Sequence, residues 1–173
     1  MVTSDRQELG QTGAPEVEEM FRPGGWLLEA EAALGRAIEV LAVAPTAHNP
    51  TTLDLLVRLM LAPDHQLRGV DLCRQLHKSP GHVSRVIDHA ESEGLVERRP
   101  DPNDRRAQRI TLTDAGDDVL GTFVPLVVEV LDDTIYTALD NDEVETLVDL
   151  LRRIAASAHH VLEQHEGAPA RPR

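Results

Sequence analysis

The sequence predicts a mainly α fold with one small β-hairpin, and three observations carry that reading. Val83, Val86, Ile87 and Ala90 recur at helical spacing, so the segment that opens at Ser79 has one apolar face. Directly after it, two strand-like runs, 95–98 and 108–112, flank the turn-rich segment 100–104. Aromatic residues make up only 2% of the chain against 41% apolar residues, so a core is built from Leu, Val, Ile and Ala. That composition suits packed helices better than a β-sandwich.

Each element has its own local reason. Residues 1–22 are polar and acidic, carry Gly and Pro, and lack periodicity; they are expected to be a flexible acidic tail. A helix over 26–43 places Leu27, Ala30, Leu34, Ala37, Ile38 and Leu41 on one side, and the segment 45–50, with a proline at each end, breaks it. Two short helices follow, over 52–61 and 69–77, separated by Ala62-Pro63-Asp64. Ser79 is expected to cap the third helix through its hydroxyl, with Pro80 in the first turn and Gly94 as the stop. Together these three helices make a helix-turn-helix core, and the hairpin after it is a wing. Thr113-Asp114 then opens a long helix to about residue 139, which Pro125 is expected to kink. Asp140 and Glu143 form a capping-box start for the last helix. Val144, Leu147, Val148, Leu151, Ile154, Ala155, Ala158, Val161 and Leu162 line that helix on one side.

The expected architecture is a winged helix-turn-helix plus terminal dimerisation helices. A single domain spans 23–164, with a DNA-binding lobe over about 50–112 and dimerisation helices over about 26–43 and 114–164. Residues 165–173 are expected to be a disordered tail. Two apolar helix faces far apart in sequence exceed what a small winged core can cover. Burial between two copies would cover them, and helix-turn-helix proteins read half-sites as two-fold dimers.

Charge points to nucleic acid once its distribution is considered. The net charge is −13, yet the segment 78–109 carries seven basic and six acidic residues, leaving −14 for the rest. Within 98–109 there are five arginines against two aspartates. That local positive edge can engage phosphates, while the acidic body weakens non-specific binding and raises salt sensitivity. Ser79, His82, Ser84, Arg85 and His89 face away from the apolar stripe and are the expected readers of the major groove, where arginine bonds guanine bidentately. In the wing, Arg98, Arg99, Arg105 and Arg106 are expected at DNA, with Arg106 in the minor groove. Asp104 is expected to orient an arginine by a charge-assisted pair.

Other classes find less support. A single cysteine excludes an internal disulfide, and no apolar run approaches the ~18 residues of a membrane span. A cytoplasmic, membrane-free protein is expected. No nucleophile elbow, phosphate loop or metalloprotease helix is present, so the chain is not expected to be an enzyme and needs no cofactor. Cys73 lies between Leu72 and Leu76 with Arg74 and Lys78 nearby; it reads as a packing residue, with a redox sensor as the alternative. His159, His160 and His165 do not share one helix face at ligand spacing, so no metal is expected. A winged module that binds protein rather than DNA is the competing class.

Gly94-Leu95-Val96-Glu97-Arg98-Arg99, then Asp104-Arg105-Arg106, then residues 110–116 (Ile-Thr-Leu-Thr-Asp-Ala-Gly) occur in order. This succession resembles the signature of the MarR family, the multiple-antibiotic-resistance type of regulator, over about residues 26–164. Leu139-Asp140 and Glu143 are similar to that family's entry into its last helix. Arg68 departs from the pattern, standing where a Ser or Thr cap is common, and so do His89 and Ala90. The resemblance implies a homodimeric repressor on a pseudo-palindromic double-stranded DNA operator, released by a small phenolic or anionic effector. It also places Trp26, His48 and Arg58 at an effector cavity.

Overall fold

The computed structural model describes residues 14–166. Its elements run α1 (Ala14–Ile38), α2 (Pro50–Met60), β1 (Gln66–Arg68), α3 (Gly69–Leu76), α4 (Pro80–Ser92), β2 (Val96–Asp101), β3 (Asp104–Leu112), α5 (Asp114–Leu131) and α6 (Asn141–Glu166). The chain divides into two compact units, one ending at Val127 and the other beginning at Val128.

The first unit holds the helix-turn-helix and the wing. Leu53, Leu56 and Leu59 of α2 pack with Leu72 and Leu76 of α3 and with Val83, Ile87 and Ala90 of α4. Leu95, Val96 and Ile110 extend this core into the sheet, and Leu120 and Phe123 close it from α5. The periodicity read for α4 is therefore the face it buries. Asn49 caps α2, its Oδ1 accepting from the Thr51 N–H at 2.8 Å, with Pro50 in the first turn. His77 ends α3 in a left-handed conformation (φ 50°), which turns the chain toward α4. Gly94 (φ 76°) ends α4 with paired closing bonds, Gly94 N–H to Glu91 O and Leu95 N–H to Ala90 O, both 2.9 Å.

The sheet has three antiparallel strands in the order β1-β3-β2. β1 is absent from the sequence reading because three residues are too short to show alternation; its pairing with β3, Gln66 with Thr111 through Arg68 with Arg109, creates it. The hairpin strands are also longer than expected, leaving only Pro102 and Asn103 as the turn. Arg105 and Arg106 thus open a strand instead of lying in a loop.

The helical boundaries differ in two further places. α1 begins at Ala14, so 14–22 are helical rather than tail, and the helix runs through Pro23-Gly24-Gly25. Residues 1–13 and 167–173 lie outside the described residues, and α6 itself reaches Glu166. α5 is helical on both sides of Pro125, and beyond its end the backbone widens into a π-helical turn at Asp132–Tyr136.

The second unit holds the end of α5 and α6. The capping box forms as read: Asp140 Oδ1 accepts from the Glu143 N–H at 2.9 Å, and Glu143 Oε2 accepts from the Asp140 N–H at 3.0 Å. Val144, Leu147 and Val148 are half-buried, whereas Leu151, Ile154, Val161 and Leu162 remain exposed. In the first unit, Phe21, Trp26 and Leu28 of α1 and Leu41 of the π-helical turn Glu39–Val43 are exposed likewise. No helix among the described residues is long and apolar enough to cross a membrane.

Candidate nucleic-acid interface

The outward face of α4 begins at its N-terminus. Ser79 occupies the cap position with extended backbone, and its carbonyl accepts from the N–H groups of His82 and Val83 at 3.0 Å. Its hydroxyl makes no cap bond, contrary to expectation. Pro80 at the first helical position removes one backbone donor, and the exposed serine side chain stays available to a partner. The first turn holds no acidic residue, so the positive end of the helix dipole is unopposed. Ser84 and Arg85 are exposed, with Arg85 folded along its own helix, Nε donating to Gly81 O at 3.1 Å.

Two predicted readers sit differently. His82 is half-buried, and its Nε2 is enclosed with no hydrogen-bond partner among the described residues. It lines a small groove with Asn49, Thr51 and Thr52 at the start of α2 and with Arg85, Val86 and His89. His89 is exposed near the far end of α4, 3.7 Å from Glu93 Oε2, and His48 approaches the same oxygen at 3.8 Å.

The wing arginines divide by role. Arg98, a residue expected at DNA, turns back onto α4 and pairs with both Asp88 and Glu91. Its side chain is only 24% exposed, so it fastens the wing to the recognition helix rather than presenting a free charge. Arg99 is exposed beside Glu97. The side chains of Arg105 and Arg106 lie outside the described residues.

The enclosed carboxylate of the wing is Asp101, which the sequence marks only as part of a turn. Its side chain is fully enclosed. Oδ2 accepts from Arg68 Nε at 2.7 Å and from Arg109 Nε at 2.9 Å, while Oδ1 accepts from the Asn103 N–H at 2.8 Å. The Arg68 hydrogen bond, with further help from Asn103 and Arg109, outweighs burial and holds the Asp101 carboxyl far below the usual carboxylate range. The same hydrogen bond raises Arg68 further above its ordinary value. Arg68, placed at the cap position of α3, gives that helix no side-chain cap and spends its guanidinium on the wing. An Asp-x-Asn sequence is a local sign of such a turn, but Arg68 lies too far away in the chain to be read with it.

A cleft of about 590 Å³ separates α3, α4 and the wing, lined in part by Val70, Cys73, Val83, Ser84 and Ile87. Cys73 is half-buried there and packs against the core. The expected effector residues have three separate sets of neighbours in the single chain. Trp26 is exposed in an open groove with Phe21, Arg22, Gly25 and Glu29; His48 faces Glu93; Arg58 Nε donates to Asp54 at 3.0 Å. His160 Nε2 lies 2.8 Å from the side-chain nitrogen of Gln164. Among the described residues no cluster of three or more His, Cys, Asp or Glu is arranged to hold a metal ion.

A three-helix core that exposes the start of its last helix beside an antiparallel hairpin defines the winged helix-turn-helix class of protein. Residues 49–107 match the model of the MarR family. The transcriptional repressor MprA of Escherichia coli (strain K12) is 28% identical over 106 residues, which cover 61% of this chain and 60% of that protein's length. Among solved structures, a MarR family transcriptional regulator from Streptomyces coelicolor in complex with DNA superposes with a TM-score of 0.71. It is 23% identical and the match covers 85% of this chain and 91% of that one. A mutant MarR from E. coli complexed with operator DNA has a TM-score of 0.66 at 26% identity, covering 79% and 95%.

Proposed function

We propose that this chain is a homodimeric, sequence-specific DNA-binding transcriptional regulator of the cytoplasm, a repressor and not an enzyme. The observation that carries this is the exposed, carboxylate-free start of α4, where Ser79, Ser84 and Arg85 stand outward beside an arginine-rich hairpin. Ser79, His82, Ser84, Arg85 and His89 would meet the major groove, and Arg99, Arg105 and Arg106 the phosphates and minor groove. The DNA-bound relatives support the same use of the fold. Exposed apolar residues on α1 and α6 support a second copy as the cover, and two-fold pairing would set the recognition helices about 34–36 Å apart on a pseudo-palindromic operator.

A small phenolic or anionic molecule is the proposed effector, acting by favouring a dimer whose recognition helices are mis-spaced. A differential affinity of a few kcal/mol is enough for such a shift. Of Trp26, His48 and Arg58, Trp26 has the most open setting, a groove of about 580 Å³. Titration of phenolic acids, followed by Trp26 fluorescence and operator release together, tests this part; ligands that bind without changing operator affinity would leave a constitutive regulator.

Mobility-shift binding to the DNA upstream of the protein's own coding region tests the central reading. Salt-sensitive, sequence-selective binding of a dimer is expected. No binding even at low salt would reject it in favour of a protein-interaction module.

A further inference from the structure

We propose that Asp101 is the positioning residue of the wing, holding the hairpin tip at the angle from which Arg105 and Arg106 reach DNA without touching DNA itself. The inference rests on the DNA-binding reading above and deepens it.

Asp101 joins parts of the lobe that are distant in sequence. Arg68 ends β1 and stands at the start of α3, and Arg109 lies on β3, directly opposite Arg68 in the register. Asp101 itself ends β2, where the pairing with β3 shifts at Pro100/Asp101. One carboxylate therefore links all three strands and the entrance of α3 through one oxygen. Its other oxygen shapes the turn by accepting from Asn103. The next residues of the chain, Asp104, Arg105 and Arg106, open β3, so the direction of the tip follows from this anchor. A register shift bends the strand locally, so contacts beyond the ladder fix where the tip points.

The arrangement also accounts for Arg68 in place of a capping hydroxyl. A serine there would satisfy one backbone donor of α3, whereas the guanidinium reaches across to the wing. Because Asp101 is enclosed and already accepts three hydrogen bonds, it offers nothing to a phosphate.

Operator affinity is to be measured for wild type, Asp101→Asn, a double Arg105→Ala/Arg106→Ala variant, and the combination. Asp101→Asn is expected to weaken binding about tenfold in the wild-type background and less than about twofold where the tip arginines are absent. Amide hydrogen exchange at 103–106 should accelerate in Asp101→Asn, while the α2 core around Leu53 and Leu56 keeps its protection. Arg68→Gln, which leaves Arg109 on the carboxylate, should show the same pattern at smaller size and replaces Asp101→Asn if that variant does not fold. Equal weakening in both backgrounds, or unchanged exchange at 103–106, overturns the assignment. A wild type that binds no DNA at low salt overturns the regulator reading and this inference with it, a result distinct because the unmutated protein itself fails.

Discussion

A β-carbon on Gly116 would stand 2.3 Å from the carbonyl oxygen of Leu95 and 2.7 Å from Cδ1 of Leu112. That carbonyl is held in place, because it accepts from the Thr113 N–H at 3.2 Å. Thr113 ties the same corner with its hydroxyl, which donates to Gly94 O at 2.7 Å and accepts from the Gly116 N–H at 3.1 Å. The first turn of α5 is thereby pressed against the chain leaving α4, and the spacing from Thr113 to Gly116 is a packing requirement.

Gly116→Ala should therefore destabilise the protein by about 1–3 kcal/mol through overpacking. Helix propensity alone argues the other way, favouring alanine by about 1 kcal/mol in a helix interior. Thermal unfolding decides between them: a lower midpoint is expected, and a raised one would show that the backbone contact yields.

Arg85→Ala should relax sequence choice, losing about 1–3 kcal/mol of discrimination at one base position. Arg106→Ala should instead weaken binding similarly across sequences and lower the salt slope by about one. Affinities over a panel of single-base operator variants at several salt concentrations separate the two. Identical profiles for both variants would refute these roles.

Arg98→Ala is expected to act through the protein rather than through DNA contact. It leaves Asp88 and Glu91 without the guanidinium that joins them to the wing, adding uncompensated negative charge to the recognition helix. Operator binding should fall, and Arg98→Ala combined with Asp88→Asn and Glu91→Gln should recover part of the loss. No recovery would return Arg98 to direct DNA contact.

Ile154→Asp should shift the protein toward monomer, since a charge would enter a face proposed to be buried between copies. Light scattering across a concentration series reads the change. An unaltered dimer would place the interface elsewhere.

Asp101 makes a signed statement about pH. Its carboxyl is depressed by Arg68 and Arg109, while Asp104 and Asp71 add only to the field at Arg68. The stability it contributes is complete above the ordinary carboxylate value of about 4 and is lost as pH falls below that toward its depressed value. Amide exchange at 103–106 in the wild type should thus be insensitive to pH between 6 and 8 once corrected for intrinsic rate, and the advantage of wild type over Asp101→Asn should shrink only in strong acid. A difference that vanished near neutrality would contradict the clamp.

Features set within a few residues could be read directly from the amino acids. Gly94 as the stop of α4, the reciprocal Asp140–Glu143 box, and the buried stripe of Val83, Ile87 and Ala90 depend on contacts one turn apart. The arginine excess of the hairpin and the exposure of Ser84 and Arg85 follow from composition and period. What folding alone settled involves partners distant along the chain. β1 exists because β3 pairs with it, and Arg98 is drawn back onto α4 by two carboxylates of that helix. Asp101 becomes the wing's anchor because Arg68, 33 residues earlier, arrives beside it. Helix caps and periodicity are local free-energy terms, whereas an enclosed ion pair is worth forming only after the surrounding packing has removed water and brought both charges together.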